Sequence, residues 1–304
     1  MSGINDFVKD ELASSRGFVT LGIDSDKDRI QYSYLLATSI KICDPTAQVC
    51  LIVEKDKIDI VPEKYLSSFD YITELPFGNT GWKDGFHGSN LWQVRNASPF
   101  DETIYLDSDT LFMNVDIDLL WDKLKSYDLA FLDNAKTYRN QDFDKLNTFE
   151  IENHYDLPKF FSNFIYFKND SPLAIEWFKM ADPVFQNWRE VYKKTFNEKK
   201  PDTFDKTLLV NMTCNFLNID KEISVDIPYY YDLENRGQRI WNKDIPYEWT
   251  EMLNHWINIR KQLLIETHAI SSGIIHYRCE DFVTKDMISD FTDYLSDKET
   301  LRET

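Results

Sequence analysis

A short apolar segment that ends in two aspartates constrains this chain more than any other feature. Residues 103–106 have the composition of a buried strand, and Asp107 and Asp109 follow it. Because residues two apart in an extended chain project to the same side, the two carboxylates would stand together. If the strand belongs to an open α/β sheet, they lie at its carboxyl end, where such sheets bind ligands.

Two neighbouring carboxylates repel each other unless a cation lies between them. A hard divalent ion removes the repulsion and also binds phosphate oxygens. The pair Asp107 and Asp109 therefore predicts a site for Mn²⁺ or Mg²⁺ that can hold the diphosphate of a nucleotide ligand. The alternative is an Asp-rich turn with two solvated carboxylates, and the position directly after an apolar strand favours the metal site.

The net charge and the spacing of the cysteines limit which partners and which cellular location the protein can have. The 304 residues include 34 basic and 52 acidic side chains, a net charge of −18, which argues against nucleic acid as a partner. The four cysteines form no zinc-type spacing, so we expect buried thiols in a reducing compartment. We also find no signal-type segment at the amino terminus and no apolar window that could span a membrane. These features predict a cytoplasmic protein without a transmembrane segment.

Strand-like and helix-like segments alternate along the chain, which predicts an α/β fold with a mostly parallel central sheet flanked by helices. Residues 133–160 are polar and irregular and predict a long loop or lid. The predicted strands are residues 17–23, 48–54, 71–75, 103–106, 128–132, 163–168, a pair near 223–231, and 273–276. The predicted helices are residues 27–42, 89–97, 117–125, 172–195, 204–216 and 248–266. No internal repeat or linker appears, so we expect a single domain over residues 1–304.

His276 closes the last predicted strand, near the same edge of the sheet. A neutral imidazole can serve as a third ligand for manganese or a similar ion. A histidine that is only hydrogen-bonded within the structure is the alternative, and both interpretations stay open on the motif alone.

The order of these motifs resembles that of the retaining, glycogenin-like glycosyltransferases of glycosyltransferase family 8. The segment IYLDSDTLFMNVDIDLLW at residues 104–121 is similar to the strand, D-x-D-T-L motif, N-hydrophobic-D motif and helix start of that family. Five further segments are similar to family motifs in the expected order: FVTLG at 18–22, FSNFI at 161–165, FDKTLLVN at 204–211, IPYYYD at 227–232 and IHY at 275–277. The resemblance spans about residues 17–280.

The resemblance implies the GT-A fold and transfer of a sugar from a nucleotide-diphosphate donor, most often a UDP-sugar, to a hydroxyl acceptor with retention of configuration. It implies a nucleotide-binding half at residues 17–132 and a sugar and acceptor half at residues 161–290. It implies Asp107, Asp109 and His276 as ligands of Mn²⁺ or Mg²⁺.

The resemblance also assigns further site residues. Asp205 and Asn163 correspond to the catalytic residues, with Asp205 stabilising positive charge at the anomeric carbon; a helix N-cap is its structural alternative. The implied contacts of the nucleotide-sugar are Thr20, Leu21, Gly22, Tyr32, Arg95, Asp107, Ser108, Ser162 and Arg278. Tyr229, Tyr230, Trp241 and Trp249 are candidate flat faces for a carbohydrate acceptor or, alternatively, core residues.

The chain departs from the family pattern at four places. Phe164 stands where the family has a small glycine beside the sugar, and Lys206 stands where it has glutamine. The Gly-x-x-Lys-Pro-Trp motif does not follow His276, so Arg278 or Lys285 is the candidate to bind phosphate in its place, with a solvated surface charge as the alternative for either. The basic residue that the family has upstream of D-x-D is not in register here; Arg95 is the nearest candidate, with a charge on a helix surface as the alternative. The shape of the pocket at Phe164 is therefore expected to differ, and the donor sugar is left open.

Two other functions are compatible with parts of the pattern. A haloacid-dehalogenase-like phosphatase would use Asp107 as a nucleophile and Asp109 as a general acid, although that class places its Asp pair after the first strand. A carbohydrate-binding protein without activity could also have this fold. Retention of both carboxylates and of His276 favours the transferase.

Overall fold

A computed structural model describes most of the chain, and the fold is given for these parts. They are residues 15–23, 29–80, 89–137, 142, 157–196, 206–219, 223–230, 256–257, 263–265, 268–270, 272–277, 288–289 and 291–293.

The first half confirms the predicted alternation of strands and helices. Its elements are β1 (Arg16–Leu21), α1 (Arg29–Cys43), β2 (Gln48–Val53), a 3₁₀ helix (Lys55–Ile60), α2 (Glu63–Leu66), β3 (Tyr71–Glu74), a second 3₁₀ helix (Ser89–Gln93), α3 (Val94–Ala97) and β4 (Glu102–Leu106). Strands β3, β2, β1 and β4 are neighbours in that order and run parallel. The predicted strands and helices up to residue 106 match these elements to within a few residues.

The second half adds shorter strands and three longer helices. Its elements are β5 (Thr110–Met113), α4 (Ile117–Leu124), β6 (Leu129–Leu132), β7 (Phe161–Lys168), α5 (Pro172–Gln186), α6 (Trp188–Phe196), α7 (Lys206–Leu217), β8 (Ser224–Val225), β9 (Tyr229–Tyr230), β10 (Trp256–Ile257), β11 (Leu263–Ile265), β12 (His268–Ile270) and β13 (Gly273–His276). The predicted helix at residues 172–195 is therefore two helices, because α5 ends at Gln186 and the backbone of Asn187 leaves the helical conformation.

The seven-stranded sheet has the order β3-β2-β1-β4-β7-β6-β8. Strand β7 runs antiparallel to both of its neighbours, whereas β6 and β8 are parallel to each other. This reversal places the amino end of β7 beside the carboxyl end of β4, where Leu106 pairs with Phe164. Residues that precede Phe164 therefore lie next to the two aspartates.

A small sheet of order β5-β13-β9 completes this edge. Strand β13 is antiparallel to β5, and His276 pairs with Thr110 in this ladder. The pairing brings His276 to the residue that directly follows Asp109. The backbone connection is direct as well, because the Tyr277 amide donates to the Asp109 carbonyl oxygen at 3.0 Å.

Each face of the large sheet carries its own apolar core. One cluster contains Phe18 of β1, Leu106 of β4 and Phe164 of β7, and the other contains Val19, Tyr105 and neighbours from α5 and α7. Because successive side chains of a strand alternate between faces, adjacent residues of β1 and β4 serve different clusters. A sheet covered on both faces has its ligand site at the strand ends.

The structure corrects two sequence predictions in the second half. The predicted helix at residues 248–266 is wrong, since its described residues form β10 and β11 in an antiparallel sheet with β12. A short apolar segment is compatible with the residue spacing of a helix and with that of a strand. Pairing with a neighbouring strand then outweighs the local preference for a helix. The two strands predicted near 223–231 are confirmed as β8 and β9, but they do not pair with each other, because β8 pairs with β6 and β9 pairs with β13.

Residues 133–160, predicted as a loop or lid, are described only in part. Lys136 forms isolated backbone β-bridges with Asp142 and with Tyr230. Residues 138–141 and 143–156 lie outside the described residues. In the described part of the chain, no helix is both long enough and apolar enough to cross a bilayer.

Candidate active site

Asp107, the first residue after β4, is buried among hydrogen-bond donors. Its side chain is 6% exposed. The Tyr105 hydroxyl donates to Oδ1 at 2.6 Å, and Oδ2 accepts from Asn163 Nδ2 at 2.5 Å and from the ammonium of Lys206. A buried carboxylate is costly unless it is paired and hydrogen-bonded, so these three donors explain how Asp107 is accommodated.

Asp109 faces cations and His276. Its Oδ1 lies 3.2 Å from His276 Nε2, and its Oδ2 lies 3.4 Å from a guanidinium nitrogen of Arg29. Burial by itself would raise the pKa of Asp109, but His276, Lys206 and Arg29 outweigh it and hold that pKa well below its usual range. Asp109 is therefore a carboxylate, with two oxygens that can bind a cation.

The oxygens of Asp107 and Asp109 and a ring nitrogen of His276 form a potential metal site. One ligand atom from each residue can be chosen so that all three lie within 4.8 Å of one another. That separation is about twice a typical metal–ligand bond of roughly 2.0–2.4 Å, so one ion can contact all three. Two carboxylates and one imidazole suit a divalent ion such as Mn²⁺ or Mg²⁺.

The hydrogen bonds of the cluster are incomplete without a cation. His276 Nε2 lies 3.0 Å from Asn163 Nδ2 and 3.2 Å from Asp109 Oδ1. If Nε2 is unprotonated and accepts from Asn163, its lone pair also faces the Asp109 oxygen, and the two repel each other. If Nε2 is protonated and donates to Asp109, its proton faces an N–H group of Asn163, and these two repel each other. The Asn163 carbonyl oxygen is also buried without a hydrogen-bond partner in the described part of the chain. A cation between Nε2 and the carboxylates removes the conflict at Asp109, so the residues fit a metal.

Most of the predicted nucleotide-sugar contacts lie at the same edge of the sheet. Thr20, Leu21 and Gly22 end β1 beside the end of β4, with Thr20 paired to Leu106. The Thr20 hydroxyl is buried and has no hydrogen-bond partner among the described residues, which leaves it available to a ligand or a water. Ser108 is buried between the two aspartates.

Two further predicted contacts border the cluster from other elements. Ser162 Oγ lies 3.2 Å from the Thr207 hydroxyl, which joins β7 to the first turn of α7. Tyr32 of α1 packs edge-on against Tyr277 with ring centroids 6.2 Å apart, and the Arg29 guanidinium lies over its ring. These contacts connect α1 to the strand that carries His276.

Arg95, predicted to bind the nucleotide-sugar, lies elsewhere. Its guanidinium donates to the Asn169 carbonyl oxygen at 2.9 and 2.7 Å. Asn169 follows the carboxyl end of β7, and the register of β7 with β4 puts that end at the opposite edge of the sheet from Asp107. The structure therefore does not bring Arg95 to the cluster, and Arg95 instead connects α3 to the segment after β7.

Three residues that contact the aspartates were not predicted as site residues: Tyr105, Arg29 and Lys206. Tyr105 lies two residues before Asp107 and so projects to the same side, a signal that strand periodicity carries. Lys206 stands beside the predicted Asp205. No signal near Arg29 points to the site, because only the packing of α1 brings it to Asp109. The predicted Asp205 and Arg278, together with Lys285, Trp241 and Trp249, lie outside the described residues.

Sequence comparison alone identifies no relative: no protein-family model and no curated protein matches the chain. Solved structures do match. The galactosyltransferase LgtC, in complex with donor and acceptor sugar analogues, matches 92% of this chain and 95% of its own with a TM-score of 0.51 and 13% identity. At such identity a structural match identifies a fold. This chain has the GT-A glycosyltransferase fold.

Two other solved structures also match this GT-A chain. Mouse xyloside xylosyltransferase 1 matches 88% of this chain and 99% of its own, with a TM-score of 0.49 and 10% identity. The glycosyltransferase GlyE of Streptococcus pneumoniae TIGR4 matches 92% of this chain and 60% of its own, with a TM-score of 0.45 and 14% identity. The fold assignment rests on the galactosyltransferase match and on the mixed seven-stranded sheet.

The GT-A chain differs from the sequence prediction at Phe164. We predicted a phenyl ring beside the sugar, but Phe164 is fully buried in the core cluster that includes Leu106 and Phe161. The ladder between β6 and β7 shifts register next to Phe131 and Leu132. This irregularity explains why Phe161 shares a core cluster with Phe164, three residues further along the strand. The regular alternation of adjacent side chains directs Asn163 to the aspartates and Phe164 into the core.

Proposed function

We propose that this chain is a metal-dependent glycosyltransferase that transfers a sugar from a nucleotide-diphosphate donor, a UDP-sugar, to a hydroxyl acceptor with retention of configuration. The observation that carries the proposal is the cluster of Asp107, Asp109 and His276 at the carboxyl end of β4 in a GT-A fold. This edge is where open α/β sheets bind nucleotides, and the donor set suits the ion that such a diphosphate needs.

In this proposal the donor lies across the ends of β1 and β4. The nucleotide contacts Thr20, Leu21, Gly22 and Tyr32, and the diphosphate lies near Ser108 and the metal ligands. Arg29 replaces Arg95 as the basic residue on this side, since its guanidinium already lies 3.4 Å from Asp109. Ser162, next to Asn163 in the chain, lies at the proposed position of the donor sugar. Arg278 stays in the proposal as a predicted phosphate contact.

The proposed residue roles follow from the charges that develop on the diphosphate and at the anomeric carbon during sugar transfer. Asp107, Asp109 and His276 would hold a divalent ion, which would supply positive charge to offset the charge that develops on the departing diphosphate. Asp205 is proposed to stabilise positive charge at the anomeric carbon. Asn163 is proposed to hold Asp107 and His276 in place through its amide nitrogen. Its side-chain carbonyl oxygen, which has no hydrogen-bond partner among the described residues, is proposed to accept a hydrogen bond from a hydroxyl of the donor sugar.

A cavity of about 280 Å³ is the proposed position of the acceptor. It is lined by residues that follow β6 and β8, among them Lys136, Asp226 and Tyr230. A flat aromatic face with nearby hydrogen-bonding groups is the usual composition of a carbohydrate site. Tyr229, another of the four predicted acceptor residues, is fully buried in the core and cannot offer such a face.

The phosphatase alternative is not favoured. Asp107 follows the fourth strand of a GT-A sheet, whereas the haloacid-dehalogenase class places its Asp pair after the first strand.

A donor screen tests the proposal. UDP-, GDP- and CMP-sugars are incubated with the protein, with and without Mn²⁺ or Mg²⁺, and release of the nucleoside phosphate is measured. We expect UDP release from a UDP-sugar only with a divalent ion, and its loss in Asp109→Asn. Asp118→Asn, at an exposed position of α4, is the matched control and keeps the activity. Turnover of p-nitrophenyl phosphate, with a beryllofluoride adduct on Asp107, would instead establish the phosphatase. Donor binding without turnover for any acceptor or water would establish a binding protein.

A further inference from the structure

The ammonium of Lys206 forms an ion pair with Asp107, one of the three potential metal ligands. Lys206 is the first residue of α7, and its side chain is 22% exposed, whereas that of Asp107 is 6% exposed. The lysine thus reaches from the solvent side of the site to a buried carboxylate. The positive charge that the carboxylate pair requires is already supplied, in part, by the protein itself.

The ion pair leaves little capacity on Asp107 for a metal. A carboxylate has about four lone-pair positions. Three of them accept hydrogen bonds, from the hydroxyl of Tyr105, the amide of Asn163 and the ammonium of Lys206. A divalent ion at the remaining position would stand beside an ammonium of like charge, and the two cations would repel each other strongly in a buried site. Metal and ammonium therefore compete for Asp107.

Of the three donors, only Lys206 is free to leave. Tyr105 and Asn163 belong to strands β4 and β7, and the Tyr105 ring is part of an apolar core cluster. Lysine has a flexible four-carbon stem, and here it is partly exposed. A cation in the first turn of a helix also gains nothing from the helix dipole, so an anion nearby determines its position. An incoming diphosphate is such an anion.

We propose that Lys206 is an exchangeable counter-ion of the metal site. In the free protein its ammonium holds Asp107 and keeps the affinity for divalent ions low. When a nucleoside diphosphate binds, the ammonium moves to the phosphate oxygens, Asp107 is released to the metal, and nucleotide and metal bind cooperatively. The exchange with the diphosphate rests on the proposed function, whereas the competition between Lys206 and a metal for Asp107 does not.

The test is the affinity for Mn²⁺, measured by the electron paramagnetic resonance signal of the free ion with and without UDP. Lys206→Met removes the charge at nearly constant length, Lys206→Gln is a second neutral variant, and Lys206→Arg keeps the charge. Lys168→Met is the matched control, because Lys168 has a similar exposure of 27% and an ion pair with Asp128 at the far end of β7. Circular dichroism verifies that each variant is folded, and the second neutral variant replaces the first if the first does not fold.

For the wild type, Lys206→Arg and Lys168→Met, we expect weak Mn²⁺ binding that UDP strengthens. For Lys206→Met and Lys206→Gln, we expect Mn²⁺ binding without UDP to be about 10–100-fold tighter than in the wild type, the size typical of changes beside a metal ligand. The additional effect of UDP should shrink by the same factor, because in the UDP complex Lys206 has already left Asp107 and its replacement does not change the Mn²⁺ affinity there.

The outcomes separate this inference from the proposed function. Equal Mn²⁺ affinities in the wild type and the neutral variants, with and without UDP, overturn the counter-ion role even if UDP-sugar hydrolysis depends on Mn²⁺. Tighter Mn²⁺ binding in the neutral variants without any UDP binding in the wild type supports the competition for Asp107 and rejects the nucleotide-sugar function. If no protein in the series binds Mn²⁺ under either condition, the cluster is not a metal site and both proposals fail.

Discussion

Asp107 and Asp109 lie two residues apart, yet their surroundings give them different properties. Asp107 is held by three hydrogen-bond donors, whereas Asp109 contacts the imidazole of His276 and the guanidinium of Arg29. Since the hydrogen bonds of Asp107 also fix the end of β4, a change there alters structure as well as binding. Asp109 is therefore the better position at which to test metal binding alone.

We predict that Asp109→Asn abolishes the stabilisation of the protein by Mn²⁺ and UDP together. A ligand that binds only the folded state stabilises it by about 2.7 kcal/mol at a concentration of roughly one hundred times its Kd. The wild type should thus show a higher Tm with both ligands, and the variant should show the Tm of its own ligand-free form. The measurement is thermal unfolding, with Asp118→Asn as the control. A variant that keeps the wild-type shift would exclude Asp109 as a metal ligand.

At the scale of elements, strand β7 combines a site and a core within adjacent residues. Ser162 and Asn163 face the aspartates and α7, while Phe161, Phe164 and Tyr166 belong to one core cluster. Strict alternation would not place both Phe161 and Phe164 on one face. The register shift between β6 and β7 accounts for this arrangement and lets a fully buried strand present two polar side chains at its amino end.

Phe164 tests this description of β7. We predict that Phe164→Ala lowers the free energy of unfolding by about 3–5 kcal/mol, the usual cost of removing a buried phenyl ring. It should leave the relative rates for different UDP-sugars unchanged, because the ring packs in the core and not beside the sugar. Denaturant unfolding and a panel of donors measure the two quantities. A nearly unchanged stability together with altered donor preference would restore the original prediction that Phe164 borders the sugar.

The segment between β5 and α4 shows that a motif can have a local structural cause. In the N-hydrophobic-D motif, Asn114 adopts a left-handed conformation with φ of 46°, and the Asp116 side chain caps α4 by accepting from the Leu119 amide at 2.9 Å. Asparagine tolerates that conformation better than most residues, and aspartate is among the best N-caps. These two residues thus stabilise the turn that follows the D-x-D strand.

Removal of this cap should weaken the protein without affecting the site. We predict that Asp116→Ala lowers the free energy of unfolding by about 0.5–2 kcal/mol. Asp122→Ala, on the same helix at an exposed position that pairs with Lys125 in an i, i+3 contact, should change it by less than about 0.5 kcal/mol. Chemical denaturation of both variants provides the comparison. Equal effects would mean that the cap does not contribute.

At the scale of the whole molecule, the two thiols that are fully buried in the described part of the chain report on global unfolding. Burial raises the pKa of Cys50 to about 12 and that of Cys214 to about 12. Both belong to the same apolar cluster, although they come from β2 and α7. Because the thiolate is the reactive form, neither should react while the core is intact. Cys43, at the end of α1, is only partly buried.

We therefore predict that iodoacetamide at pH 8 labels Cys43 in the folded protein, while Cys50 and Cys214 are labelled at one common, slow rate set by global unfolding. The folded state keeps these two thiols protonated, so their contribution to stability is present below the ordinary thiol pKa of about 8.5 and is lost as the pH rises toward about 12. Peptide mass spectrometry of quenched samples measures the rates. Rapid labelling of Cys214 alone would show that α7 opens independently of β2.

Local patterns in the sequence determined most of the fold and part of the site. The apolar periodicity of residues 16–132 predicts the order of strands and helices, because each element there buries a face that its own side chains define. The i, i+2 spacing after β4 likewise predicts that Asp107 and Asp109 stand together. These features depend on neighbours in the chain, so composition and spacing carry them.

Only the tertiary structure decided which distant residues meet the aspartates. The antiparallel insertion of β7 brings Asn163 to Asp107, the pairing of β13 with β5 brings His276 to Asp109, and the packing of α1 and α7 adds Arg29 and Lys206. The same long-range pairing turned the expected helix at residues 248–266 into strands and placed Arg95 at the opposite edge of the sheet. The physical reason is that strand partners and register depend on hydrogen bonds and packing between segments far apart in sequence. The periodicity of a single segment carries no information about these contacts.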